Sequence, residues 1–164
     1  MFNKMVTPTG GSGGSIPQGA LNMIPYDSSW TCTDDGHLSN DYIFESSMKN
    51  VGNELYDRGW LPNSASQKCG TVEFNQSLDI KYMSYGRACN GTMSAFTDYI
   101  DKIQYSTDGT NFVDLPNSET TLSSTKTIGA QFIFFSINET VRAIKLFVRA
   151  QSTSGQGIKI AFWN

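Results

Sequence analysis

The sequence predicts an all-β domain of antiparallel strands, and three observations carry that expectation. Charged residues make up only 16% of the 164-residue chain while Ser, Thr, Asn and Gly are abundant, a mix typical of sandwiches with many turns. Apolar and polar side chains alternate with a period of two in several short runs. Turn-forming clusters such as "LPNSAS", "ACNGTMS" and "QSTSGQG" separate those runs. Two packed layers follow, as a sandwich or barrel whose connections gather at its ends. The length is that of one domain, so one core is expected.

In chain order, residues 1–20 include "PTGGSGGSIPQG", which loses more backbone entropy on ordering than its few apolar side chains return. This flexible Gly-rich arm is either a disordered terminus or a strap that orders against a partner or neighbouring subunit. Residues 21–164 form the single domain. "MKNVGNELYD" hints at a helical turn. "GTVEF" puts Val72 and Phe74 on one face, and "DIKYMSY" does the same for Ile80 and Tyr82. In "YSTDGTNF" the pair Asp108-Gly109 supplies the two positive-φ positions of a two-residue hairpin turn. "AQFIFFSI" is apolar throughout, as in a strand buried on both sides. "VRAIKLFVRAQ" aligns Ile144, Leu146, Val148 and Ala150, and "GIKIAFWN" aligns Ile158, Ile160 and Phe162.

The net charge of −3, with 12 scattered basic residues, gives no footprint for a phosphate backbone, so nucleic acid is not expected as a partner. No run is long and apolar enough for membrane insertion as a helix. The start "MFNKMVTPTGGSGGS" lacks the apolar stretch of a signal peptide, so the expectation is a chain made without one, or a mature fragment. The sequons at Asn75, Asn90 and Asn138 matter only in a secretory pathway. Cys32, Cys69 and Cys89 have no C-x-x-C spacing, and the chain has a single His; a structural zinc is not expected, and free thiols or one bridge with one thiol left over both fit.

Candidate chemistry is sparse. His37 is the one ordinary neutral-pH base, and it lies in a polar loop, "DDGHLSN", with no Ser or Cys nucleophile elbow nearby. The chain is therefore read as non-catalytic and in need of no cofactor. Asp34 and Asp35 are candidate calcium ligands, since Asp-rich loops supply hard oxygen donors, although the EF-hand spacing is missing. In "YMSYGRACNGTMS", Arg87 and Asn90 can project a guanidinium and an amide toward one point, a combination suited to sugar hydroxyls. Arg87 can equally satisfy loop carbonyls.

Over about residues 50–164 the chain resembles the F5/8 type C (discoidin) domains and the overlapping family 32 carbohydrate-binding modules. The resemblance runs through "YDRGWLPNSASQKCGTVEFNQSLDIKYMSYGRACNG", "YIDKIQYSTDGTNFVDL" and "VRAIKLFVRAQSTSGQGIKIAFW". Its most specific piece is Ser106, Asp108, Gly109, Asn111 and Phe112; Arg142 to Val148, Ile158 to Trp163, and Trp60 after Gly59 match further scaffold positions. The resemblance implies a galactose-binding-like jelly roll that binds glycans. It also implies that Tyr85, Gly86, Arg87, Asn90 and Gly91 form a shortened Tyr-x-Pro-Arg motif, Arg87 and Asn90 contacting sugar while an aromatic stacks on the ring. Trp30, His37, Trp60 and Phe96 are candidates from other loops for stacking or polar contact, or belong to the core. Gly86 stands where the family has proline, and Leu61 follows Trp60 where galactose binders often have His. Such a module is expected in a larger assembly on a virion or extracellular surface, possible as a homo-oligomer; the alternative is a structural phage head or tail decoration docking through residues 1–20.

Overall fold

The computed structural model describes residues 22–37, 40–49, 59–62, 66–89, 96–124, 129–150 and 157–164. The N-terminal arm and Asn90 lie outside them. Eight strands are present among the described residues: β1 (Met23–Ile24), β2 (Thr31–Asp34), β3 (Lys68–Cys89), β4 (Phe96–Ser106), β5 (Val113–Asp114), β6 (Thr120–Ser124), β7 (Gly129–Ala150) and β8 (Ile158–Trp163). All pairings are antiparallel. One α-helical turn, α1 (Ser46–Lys49), overlaps only the first two residues of the segment that hinted at one, 48–57, whose remainder lies outside the described residues.

Two long strands organise everything else. β3 and β7 pair along their whole length, from Lys68 opposite Val148 to Cys89 opposite Gly129. The ladder slips between Glu73 and Leu78 and again between Ile80 and Tyr82, and opposite this region Asn138 adopts a φ of 55°, a left-handed conformation that Asn tolerates better than most residues. Bulges of this kind bend a strand so that it can pass from one layer to another. The first half of β3 and the second half of β7 thus lie with β2 and β4, while their other halves lie with β8. β5 and β6 extend the first layer from β4, and β1 extends the second from β8. The result is an antiparallel β-sandwich, as expected.

The predicted faces meet inside it. Val72, Phe74, Ile144, Leu146, Val148 and Ala150 from the first layer, and Ile158, Ile160 and Phe162 from the second, are at most 1% exposed. Burying each larger one contributes roughly 1.5–3 kcal/mol. The ring of Phe74 meets that of Phe162 edge-on at 5.3 Å, and Trp30 packs edge-on against Phe74 at 4.9 Å. Trp30 is therefore a core residue.

Three local expectations change. "AQFIFFSI" is not buried on both sides: Phe135 and Ile137 are buried, but Phe132, Ile133 and Phe134 are half-exposed and Ser136 is exposed. Among the described residues, only β3 pairs with this half of β7, so its outer face is covered in part, as where Phe134 lies 6.1 Å from Trp163. Ile80 is buried while Tyr82 is only half-buried, because the register slips between them. The Asp108-Gly109 turn is wider than two residues. Pairing stops at Tyr105 opposite Val113, and only Gly109 of the pair has positive φ, at 86°. The Asp108 carboxylate accepts the amides of Thr110 and Asn111, each at 2.8 Å, while Gly109 N donates to Ser106 Oγ at 2.9 Å. One side chain satisfies several loop donors, which favours the longer loop.

Candidate functional site

The strand ends near Arg87 define one end of the sandwich. Arg87 pairs with Gln131 on β7 and with Ile158 on β8. Ile158 also forms a bridge with Trp60, so Trp60, Ile158 and Arg87 lie side by side. From the other layer, Asp98 of β4 pairs with Ala150 and Leu122 at the same end.

Arg87 does not project outward. Its side chain and that of Asp98 are fully buried, with Nη1 2.7 Å from Oδ1. The hydroxyl of Tyr85, also buried, donates to the other Asp98 oxygen at 2.9 Å. Phe96 supplies a ring 4.7 Å below the guanidinium carbon. Two side chains of one layer therefore converge on one carboxylate of the other. Burial pushes the Asp98 carboxyl upward, against the opposing pull of the Arg87 charge and of its hydrogen bonds. Burial also raises Tyr85 well above the ordinary phenol value, and the Asp98 charge adds to this, so Tyr85 stays a neutral donor.

Asp98 was not foreseen. The signal was present in "FTDYI", where a carboxylate sits between Phe96 and Ile100 on an inward-facing alternation. A charge at such a position needs a buried partner, and Arg87 is the cation that reaches it.

The β2 end of the first layer brings in the remaining candidates. Asp34 Oδ1 lies 2.7 Å from His37 Nδ1 and accepts Gly36 N at 3.1 Å, and its Oδ2 accepts Phe44 N at 2.9 Å. Asp35 Oδ1 accepts Cys69 N at 2.8 Å. Both carboxylates are committed to local backbone, and no group of three or more His, Cys, Asp or Glu gathers among the described residues.

Trp60 is sealed, with its indole N–H donating to Gly36 O at 3.2 Å, its backbone N–H donating to Ser47 Oγ at 2.8 Å, and its ring edge-on to Phe44 at 5.2 Å. It is a core pillar under the loop that carries His37, and no face is open for stacking. His37 is 32% exposed. Its Nδ1 is held by Asp34, and its other ring nitrogen has no protein partner among the described residues. Of the six candidate ligand residues, Arg87, Tyr85, Trp60 and His37 gather at one end, Trp30 lies in the core, and Asn90 lies outside the described residues. Cys32 and Cys69 are free thiols.

No family model and no curated protein matches the chain. Solved structures do. A family 32 carbohydrate-binding module produced by Clostridium perfringens, in complex with GlcNAc-α-1,4-galactose, matches with a TM-score of 0.56 at 8% identity, over 87% of this chain and 95% of that one. An F5/8 type C domain from Bacteroides fragilis matches with a TM-score of 0.56 at 12% identity, over 89% and 97%. Discoidin II from Dictyostelium discoideum matches with a TM-score of 0.58 at 13% identity, over 91% of this chain and 59% of that chain. At these identities the likeness is one of fold. The fold is the galactose-binding-like sandwich of the group that the sequence resembles.

Proposed function

We propose that this chain is a non-catalytic carbohydrate-binding and adhesion module whose sugar site lies at the sandwich end framed by His37, Trp60 and Arg87. The observation that carries this reading is the Arg87–Asp98 pair, which ties the two layers together beneath the strand ends of that face. A rigid platform lowers the entropy cost of ordering a ligand. His37, fixed through Asp34, offers its second ring nitrogen to a hydroxyl. Arg87 and Tyr85 act as positioning residues in this reading, Asn90 supplies a polar contact, and Trp60 supports the rim from below. The solved module bound to GlcNAc-α-1,4-galactose has the same fold and supports a glycan as ligand. Affinity per site is weak, roughly millimolar to tens of micromolar, and copies in an assembly supply avidity.

The module serves a larger virion or cell-surface structure in this proposal, with residues 1–20 as the docking strap. The Gly-rich composition of that arm supports this part.

Nuclear magnetic resonance titration with a neutral glycan panel tests the site. The expected result is a shift of the His37 ring and Trp60 indole resonances, and about a 5-fold loss of affinity in His37→Ala at unchanged stability. Panels that leave both resonances in place overturn it. Light scattering of the full chain and of one lacking residues 1–20 tests the strap, for which an unchanged mass in both is the negative result.

A further inference from the structure

On the outer face of the first layer lies a cavity of about 340 Å³, walled by Tyr99, Asp101, Glu119, Thr120, Thr121 and Arg149. We propose that it is a second saccharide site, separate from the strand-end site, that takes an uncharged pyranose or similar polyol.

The cavity is built by register. Tyr99 sits on β4 between Thr121 of β6 and Arg149 of β7, and because strand side chains alternate, it faces outward where Asp98 faces inward. Pairing slips between Ile100 and Lys102, leaving Asp101 as the extra residue of a bulge. Bulges re-aim side chains in this way beside binding sites. The re-aimed carboxylate is then gripped firmly. Arg149 Nε lies 3.0 Å from each of its oxygens, Arg149 Nη2 lies 2.7 Å from Oδ1, and Gln67 Nε2 donates to Oδ2 at 2.8 Å. The guanidinium stacks 4.8 Å from the Tyr99 ring. Asp101 is 15% exposed and Arg149 45%, so the fork is fixed while its outer edge stays open. These hydrogen bonds, Arg149 foremost, hold the Asp101 carboxyl below its ordinary value and keep it ionised.

The unused groups define the ligand. Among the described residues, the Glu119 carboxylate, the hydroxyls of Thr120 and Thr121, and Nη1 of Arg149 have no hydrogen-bond partner. The cavity thus offers donors and acceptors side by side, and a sugar hydroxyl is both at once. An anion meets Asp101 and Glu119, and an ammonium meets Arg149, so charge disfavours either. The volume lies near the small end of ligand cavities, about 300 Å³, which suits a single ring. Two sites on one module raise avidity for a branched or repeating glycan.

The test is an amide and guanidinium resonance titration of the full chain with galactose, N-acetylglucosamine, glucuronate and glucosamine. The neutral sugars are expected to move Thr120, Thr121 and Arg149 Nε, and Glu119→Ala is expected to weaken that response about 5- to 10-fold. Glu119 is exposed and has no hydrogen-bond partner among the described residues, its charge acting on Arg149 across the cavity, so the variant is expected to keep the fold. A response at His37 and Trp60 with a silent outer face overturns this proposal and leaves the strand-end site standing; the reverse pattern does the opposite. A stronger response to glucuronate or glucosamine, or equal affinity in Glu119→Ala, also overturns it.

Discussion

Arg87 on β3 and Asp98 on β4 meet across the sandwich with Nη1 2.7 Å from Oδ1 and no exposure of either side chain, so one ion pair joins the two layers at the end where the candidate site lies. Removing one partner of such a pair leaves the other charge buried. Asp98→Ala also removes the acceptor of the Tyr85 hydroxyl. The expected loss is about 3–5 kcal/mol of unfolding free energy. Replacing both partners together, as Arg87→Met with Asp98→Leu, is expected to recover much of it. Urea denaturation of the two variants checks this, and a loss below about 1 kcal/mol for Asp98→Ala contradicts the assignment.

Gly59 and Gly157 face each other backbone to backbone. A Cβ on Gly157 falls 1.9 Å from the Gly59 carbonyl oxygen, and one on Gly59 falls 2.1 Å from that of Ile158. The strands cannot separate cheaply because Ile158 N donates to Trp60 O at 2.7 Å. Gly157→Ala and Gly59→Ala should each cost about 3 kcal/mol or more. Calorimetry should show a Tm lower by roughly 6–12 °C. Val113→Ala, at a side chain 51% exposed, is the control and should move little.

The strands were legible because alternation reports a buried face directly: Ile144, Leu146, Val148 and Ala150 went inside as a set. The bends were not. "GTVEF" and "DIKYMSY" read as two runs, and only the pairing shows that one strand passes through both and that the ladder slips between them. The site was legible in part. The sequence singled out Arg87, but a guanidinium beside a turn reads the same whether it points outward or inward. Its direction depends on Asp98, eleven positions away on another layer. The outer cavity could not be read at all, because Asp101, Glu119 and Arg149 converge only through a bulge and the register of three strands.

Burial pushes the Cys32 thiol up to about 12, with the Glu45 charge a smaller contributor. At about pH 8 its thiolate is a minute fraction, and the thiolate is the reacting species. Cys69 is also raised, again mainly by burial. Both are therefore expected to react slowly with a disulfide reagent in the folded chain and rapidly in denaturant. Mass mapping of each cysteine reads this out, and fast native labelling of Cys32 is the contrary result.

The Asp108 loop yields the clearest pH dependence. Its carboxyl is held far below the ordinary value of 3.8 by the Asn111 backbone amide first, then by the Asn111 side chain, the Thr110 amide and the Ser106 hydroxyl. A folded value below the unfolded one means that the unfolded chain binds the proton more readily as pH falls. The stabilisation from this loop is therefore complete above 3.8 and is lost as pH falls through the lower folded value. From about pH 7 to about pH 5 the Thr110 and Asn111 amide resonances should not move, and they should still be native-like at about pH 3.5. Asp108→Asn removes the titrating group, so the loop's own acid response should vanish with it. A midpoint for these amides at or above 3.8 would show that the carboxylate does not organise the loop as its hydrogen bonds indicate.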